Sequence, residues 1–388
     1  MTTLAPVDDA TYLERAAGMP LPIEQAPVWA AFDDVVDGRR HWGRLAFLVD
    51  GEPAAVVSLT EVRGPGGFRY LWAKNGPVWR ERPTPELERA LRDRLAASLR
   101  TVDPGLVFVR LHAWHEAADL RDVMQGITYD RTVVVDLERS EDDIFAAMKQ
   151  QGRRAIRKAL KDDSLTVAEE TGADAEAFAE LYDVLAETGA REGFGAHPAQ
   201  RYLDMLTTLG PEHARLFVTR RDGRVLAWAL VVVNDAHALY SVGASNAEAR
   251  GAYAADLLHW EIIRTLAAEG LVSYDLAGAG SERFPGLNGL TQFKTKFEKE
   301  ITAVAPAWDF PVQPLRYAAL VRALEAKRLA GRARSELPGV VRGLAGRVRA
   351  LAASRGAGTD ADGERPADDA ANGAPGADGS APAEPPRS

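Results

Sequence analysis

Six basic residues fall within the thirteen positions from Lys149 to Lys161: Lys149, Arg153, Arg154, Arg157, Lys158 and Lys161, with no acid among them. Arg153, Arg157 and Lys161 recur at i, i+4 and i+8 and share one face of a helix predicted over Ile144–Lys161. Like charges at that spacing repel by about 0.3 kcal/mol per pair. Such a stripe is either a solvated face or a surface that waits for phosphates. Other chemistries are absent. The chain has no Cys, which excludes a disulfide scaffold, Cys-ligated zinc, iron–sulfur clusters and a cysteine nucleophile. It has no G-x-x-x-x-G-K-[ST], no strand-linked G-x-G-x-x-G and no H-E-x-x-H, so nucleotide hydrolysis, dinucleotide redox chemistry and zinc proteolysis have no support. His112 and His115 flank Trp114 where strand alternation separates them, and they read as ordinary polar residues rather than metal ligands. Gly243–Ala244–Ser245–Asn246–Ala247 lacks the final Gly of a nucleophile elbow.

The elements that must position any site follow a coarse repeat. Arg44–Val49, Ala54–Val62 and Phe68–Trp72 read as strands in hairpin order, with Gly51 and Gly64–Gly67 at the turns. A helix, Glu86–Leu99, and a buried strand, Leu106–Leu111, follow. The second half repeats this order with Arg215–Arg220, Val225–Asn234, Ala238–Val242, the helix Tyr253–Ala268 and the strand Leu271–Asp275. Three antiparallel strands, a helix and a further strand is the plan of a GNAT-type acyltransferase. A CoA-using member would carry [QR]-x-x-G-x-[GA] before the helix, where amides and the helix N-terminus hold a pyrophosphate. The matching place, Glu248–Ala249–Arg250–Gly251–Ala252–Tyr253, begins with an acid and ends with a bulky Tyr. The CoA site therefore reads as lost, and no cofactor is expected.

The net charge of −9 is uneven. Residues 313–355 carry ten Lys/Arg against two acids (+8), residues 356–388 carry −5, and residues 1–312 carry −12. The basic arm reads as helix interrupted at Pro338, and the Ala/Gly/Asp/Pro tail after it reads as disordered. An acidic body is not coated for DNA, so the expected partner is an anion near the arm. No basic-then-apolar leader opens the sequence and no run of 18 apolar residues exists, which together with the missing Cys gives a cytoplasmic expectation.

Four segments in order carry a family resemblance: Arg153–Arg154–Ala155–Ile156–Arg157–Lys158–Ala159, Tyr240–Ser241–Val242–Gly243–Ala244–Ser245, Tyr274–Asp275–Leu276–Ala277–Gly278 and Phe293–Lys294–Thr295–Lys296–Phe297. Over roughly residues 20–315 the chain resembles the FemABX family of tRNA-dependent aminoacyltransferases, which add amino acids to the peptidoglycan stem peptide. The resemblance implies an α/β (α+β) fold of two tandem GNAT-like domains. The first would take residues 1–140 plus 302–312 and the second residues 141–301, followed by the basic arm (313–355) and the disordered tail (356–388). It implies cell-wall bridge formation with aminoacyl-tRNA and a UDP-linked or lipid-linked peptidoglycan precursor as partners, without cofactor, metal or DNA. Peripheral contact with the inner face of the membrane would run through the basic arm.

By the same resemblance Lys294, the Lys of F-K-x-x-F, lies near the aminoacyl end of tRNA and is the candidate oxyanion stabiliser, standing one step round an exposed helix from Phe293 and Phe297. Asp275 is the candidate base. Arg153, Arg154, Arg157 and Lys158 would take phosphates. Arg191, in a matching Arg191–Phe194 segment, Tyr240, Tyr253 and Phe293 would bind substrate. Gln25, Trp29 and Phe32 match the family's Q…W-x-x-[FY]-K opening, but Asp33 stands where the family has its phosphate-binding Lys, and Lys74 before Gly76–Pro77 would supply the missing charge. Glu298 follows Phe297 where the family favours Gly. Two rival readings remain open: an acetyl-CoA-dependent N-acyltransferase of envelope polysaccharide, and a non-catalytic GNAT-like scaffold.

Overall fold

The computed structural model describes residues 1–124 and 128–329. The chain divides into two units, Met1–Arg322 and Ala323–Ser388. Residues 314–329 are helical, as expected for the start of the basic arm. The rest of the arm and the tail 356–388 lie outside the described residues.

The first sheet holds β1 (Thr2–Val7), β2 (Arg39–Val49), β3 (Glu52–Arg63), β4 (Arg69–Trp72), β5 (Val78–Trp79), β6 (Leu106–His112) and the last strand among the described residues, β14 (Ala307–Pro311). The second sheet holds β7 (Arg131–Asp136), β8 (Leu165–Glu169), β9 (Ala214–Arg221), β10 (Arg224–Asn234), β11 (His237–Ser245), β12 (Ser273–Ala279) and β13 (Thr302–Ala303). The expected repeat is present. β2, β3 and β4 form an antiparallel meander that β6 joins in parallel, and β9, β10 and β11 form another that β12 joins in parallel.

Of the helices, α1 (Asp9–Ala16) and α2 (Pro27–Val35) precede the first meander and α3 (Pro85–Val102) crosses over from it. Thr84 caps α3, and Leu91, Leu95 and Leu99 recur every four residues to bury one stripe against the sheet. The basic segment is two helices rather than one: α4 (Glu141–Ala147) ends at Met148, and α5 (Gln150–Ala159) starts afresh after Lys149. α6 (Ala175–Glu192) and α7 (Ala199–Leu209) cover one face of the second sheet; α8 (Ala247–Ala252) and α9 (Ala254–Ala268) follow β11, and α10 (Asn288–Lys294) follows β12.

Each sheet is closed by a strand from outside its own repeat, and the sequence-based boundaries need correction here. β7, assigned to the first domain, pairs antiparallel with β12 of the second sheet. Thr302 and Ala303, assigned to the first domain, form β13 on the edge of β7; only β14 returns to the first sheet, antiparallel to β6. Strand patterning shows which residues alternate, not which partner they meet.

A buried ion pair holds β14 in place. Arg110 on β6 donates to both carboxylate oxygens of Asp309, through Nε at 2.7 Å and Nη2 at 3.2 Å. Asp309 also accepts from the Met124 amide and the Tyr317 hydroxyl. Removing one partner of a buried pair costs about 3–5 kcal/mol. Asp309→Ala is therefore expected to lower stability by about that amount in urea unfolding. A loss below about 1 kcal/mol, the scale of a surface pair, would show that β14 is held by its ladder and apolar packing alone.

Candidate active site

Strand β12 does not run straight. Asp275 lies opposite Val134 and Gly278 opposite Thr132, so β12 carries one extra residue between them, a bulge with Ala277 in the left-handed region (φ 61°). The bulge turns two groups to use. The Asp275 carboxylate accepts from the Thr132 hydroxyl and, at 2.7 Å, from the Ala277 amide. The Gly278 carbonyl accepts from Lys294 Nζ at 2.6 Å. Gly278 itself must lack a Cβ, because the Tyr129 ring occupies that space 2.4 Å from where it would stand.

Lys294 is 5% exposed, which corrects the expectation of a surface lysine. It is the last residue of α10, and Phe297 lies in the turn beyond rather than one helical turn along. Burial lowers its pKa to about 8, against the nearby charge of Asp275, which favours the ammonium. Burial likewise raises the Asp275 pKa above the usual carboxylate range, although Thr132, Ala277 and Lys294 all favour its charged form. A carboxyl raised and an ammonium lowered, side by side in one recess, is the pattern of acid–base groups tuned toward neutral pH.

Asp275 opens onto a cavity of about 540 Å³ between the sheets. Glu24, His112 and Trp114 line it from the first sheet's side, and Asp275, Asn234 and Leu239 from the second. Among the described residues no cluster of His, Cys, Asp and Glu could hold a metal ion, and no helix is long and apolar enough to cross a membrane.

The other sequence candidates divide. Phe293 stacks edge-on with Phe297 at 5.5 Å, and both ring His259 together with Tyr240. Burial and the two lysines Lys294 and Lys296 pull the His259 pKa down to about 3, so the ring is neutral, paired with the Tyr274 hydroxyl at 3.0 Å. Tyr240 is half-buried, desolvation pushes its phenol up to about 12, and its hydroxyl fills the space a Cβ at Gly243 would need.

The basic helix packs behind this motif. Lys149 Nζ donates to Thr295 Oγ1 at 2.7 Å, and Gly152 abuts the Lys296 carbonyl. Arg153 caps the end of α4 by donating to the Ala146 and Met148 carbonyls, so its charge is structural in part. Arg154, Arg157 and Lys158 are exposed and, among the described residues, form no ion pair; Arg157 lies over Phe145 and Lys158 over Tyr253.

Several charges noted in the sequence have partners in the structure. Lys74 is not a free charge: it pairs with Glu24 at 3.0 Å and lies over Trp29. Arg191 pairs with Glu187 and Glu192 on the surface of α6. Asp33 is a buried partner of Arg39 and Thr60, and Glu298 pairs with Arg139. Lys296, within the motif, forms a part-buried pair with Asp256 at 2.6 Å. Thr132, Tyr129, Glu24 and His259 belong to the site and were not singled out; nothing in the spacing of the sequence links β7 or the turn at Glu24 to β12.

The residues do not fit the pyrophosphate of CoA. Residues 247–252 form α8 instead of an open loop, with the Ala247 and Ala249 amides taken by Glu187 and Asn246. Glu248 pairs with Arg221, and the first turn of α9 holds the Asp256 carboxylate. Acids occupy the ground an anion would need.

A family model described as an acetyltransferase (GNAT) domain matches residues 146–286. A crystal structure of FemX superposes with a TM-score of 0.64 at 15% identity, covering 82% of this chain and 99% of that one. A tandem GNAT protein from the clavulanic acid biosynthesis pathway gives 0.48 at 13% identity over 81% and 99%. L-PGS from Bacillus licheniformis gives 0.47 at 14% identity over 82% and 97%. No curated protein matches the sequence. The chain has a FemABX-like fold of two tandem GNAT-like halves, and the acetyltransferase (GNAT) domain model matches within the second.

Proposed function

We propose that the chain transfers an aminoacyl group from the ester of an aminoacyl-tRNA to an amine of a peptidoglycan precursor stem peptide, building an interpeptide bridge on the cytoplasmic side of the membrane. The observation that carries this reading is the recess in which Lys294 and Asp275, both desolvated, meet at the Gly278 bulge beside the cavity. The FemX-like fold and the lack of fit to CoA support an ester donor over a thioester one.

The acceptor amine enters protonated and gives one proton to the Asp275 carboxylate. The neutral nitrogen attacks the ester carbonyl, a C–N bond forms, and the carbonyl oxygen becomes an oxyanion. Lys294 has one of its three N–H groups committed to Gly278, and another stabilises that oxygen. The C–O bond to the ribose then breaks, and the second amine proton ends on the departing hydroxyl. Asp275 returns its proton to water. Ester to amide is downhill, so the cycle needs no nucleotide. Arg154, Arg157 and Lys158 present free positive charge for phosphates of tRNA or of the precursor's diphosphate.

Three outcomes test this. Loss of one oxyanion donor costs about 10²–10³ in rate, so Lys294→Met is expected to slow single-turnover aminoacyl transfer by that factor while the thermal melt still shows a folded protein. Lys299→Met, at an exposed position, is the control and stays at the wild-type rate. Equal rates for all three proteins would remove Lys294 from the chemistry.

The pH profile supplies a second check. The ammonium of Lys294 is lost as pH rises past about 8, so the rate falls there; on the acid side it falls as Asp275 takes up its proton, at a pH above that of an ordinary carboxylate. A rate still climbing at pH 9 and above would contradict the role of the protonated lysine.

Third, Arg154→Glu combined with Arg157→Glu is expected to weaken tRNA or precursor binding and to flatten its dependence on salt, by roughly 0.7–0.9 in log–log slope for each phosphate no longer neutralised. An unchanged slope would leave α5 as a solvated face.

A further inference from the structure

The proposed chemistry brings an ester carbonyl to Lys294 Nζ, yet Lys294 is buried. Asp275 is among the residues that line the cavity and Lys294 is not. Part of the protein must move aside before a carbonyl oxygen can reach the ammonium. The loop between β12 and the end of α10 is placed to do so, because it joins the two partners of the Lys294–Gly278 bond. Its stems touch. The Gly280 amide donates to Thr291 Oγ1 at 2.7 Å, and Asn288 fills the space a Cβ at Gly280 would need. Between the stems the loop bonds to itself: the Phe284 amide donates to the Ser281 hydroxyl at 3.1 Å and the Leu287 amide to the Phe284 carbonyl at 3.3 Å. Glu282, Pro285, Gly286 and Leu290 are exposed. A surface loop of this length with touching ends and internal bonds is a compact unit, able to swing on its stems without unravelling.

Arg283 ties this loop to the other half. Its guanidinium carbon lies 3.9 Å from the centroid of the Trp308 ring, and its Nη2 donates to Asp122 Oδ1 at 2.9 Å. The catch is firm. Trp308 stands on β14, is 3% exposed and donates through Nε1 to the Ala113 carbonyl at 3.2 Å. Arg121, next to Asp122, exchanges two backbone hydrogen bonds with Asp309, at 2.9 and 2.8 Å. The tie itself is slight: one cation over one ring, and an ion pair whose acid is 87% exposed. Such a tie keeps a loop down most of the time and leaves the raised state a minor but populated one.

We propose that Ser281–Leu290 is a flap over Lys294, that Arg283 is the latch holding it against β14, and that the flap lifts to admit the acyl ester. Closure then shuts water away from an ester that water would otherwise hydrolyse. Arg283 is in this sense a positioning residue: it touches neither the lysine nor the ester and sets how often they can meet. As a statement about what enters, this rests on the proposed transfer reaction. As a statement about access to Lys294 it stands without that reaction.

The test reads access to Lys294 directly, by acetylating the full-length protein with N-acetoxysuccinimide at pH 9 and following the mass of its lysine peptides. With its pKa lowered to about 8, Lys294 is the free amine at that pH, so slow labelling reports burial and not charge. In wild type Lys294 is expected to label at least about tenfold more slowly than the exposed Lys299. Arg283→Gln removes the charge and the stacked fork, and it is expected to speed labelling of Lys294 about tenfold, the joint size of one cation–π contact and one exposed pair. Lys296, paired with Asp256, keeps its rate, whereas a general loosening of the fold would speed both lysines. Asp122→Asn removes the pair alone and gives a smaller gain, about threefold. Wild-type Lys294 labelling as fast as Lys299, or labelling unchanged in a folded Arg283→Gln, overturns the proposal. Should Arg283→Gln fail to fold, Asp122→Asn decides, and an unchanged rate there overturns it. The two readings separate cleanly. Labelling that depends on Arg283 in a protein that transfers nothing from aminoacyl-tRNA keeps the flap and removes the reaction, whereas transfer with labelling indifferent to Arg283 removes the flap alone.

Discussion

An ammonium group taken out of water must be compensated or it is expelled, because desolvation costs several kcal/mol per ion. The hydrogen bond from Lys294 to the Gly278 carbonyl, reinforced by the charge of Asp275, is that compensation, and much of the local structure serves it. The carbonyl is turned toward the lysine by the bulge in β12, with Ala277 in a left-handed conformation that costs a residue with a Cβ about 1–2 kcal/mol. Thr132 fixes the Asp275 carboxylate from the neighbouring strand. Tyr129 closes over Gly278, where any side chain would collide. Behind the lysine, Phe293 and Phe297 pack on a neutral His259 and keep water out.

This recess depends on an exchange of strands between the two halves. β7 leaves the first half to lie beside β12 and brings Thr132 with it, while β14 returns after the second half to fill the equivalent place beside β6. The connections place residues of both halves around one cavity, with Asp275 on one side and Glu24 on the other. The buried Arg110–Asp309 pair secures β14 in the first sheet.

The repeat of three strands, helix and strand was readable from alternation and turn residues, because each element is set by its own few residues. The order of the four motifs points to Lys294 and Asp275, which the fold places in one recess. What could not be read was partnership. Thr132 and Asp275 are 143 positions apart, and no local pattern joins them. The same limit explains Lys74, which reads as an available charge in the sequence and is committed to Glu24, far along the chain. Arg154, Arg157 and Lys158 lie on the exposed side of α5, as their spacing with the buried Gly152, Ala155, Ile156 and Ala159 required.

The central claim is that the acyl donor is an aminoacyl ester of tRNA and the acceptor a stem-peptide amine. The most direct measurement is the mass of a UDP-linked stem-peptide precursor after incubation with the purified protein, once with aminoacyl-tRNA and once with acetyl-CoA. The account predicts a gain of one aminoacyl residue from the tRNA and no gain from acetyl-CoA. Acetylation of the precursor by acetyl-CoA, with the aminoacyl-tRNA left intact, would contradict it.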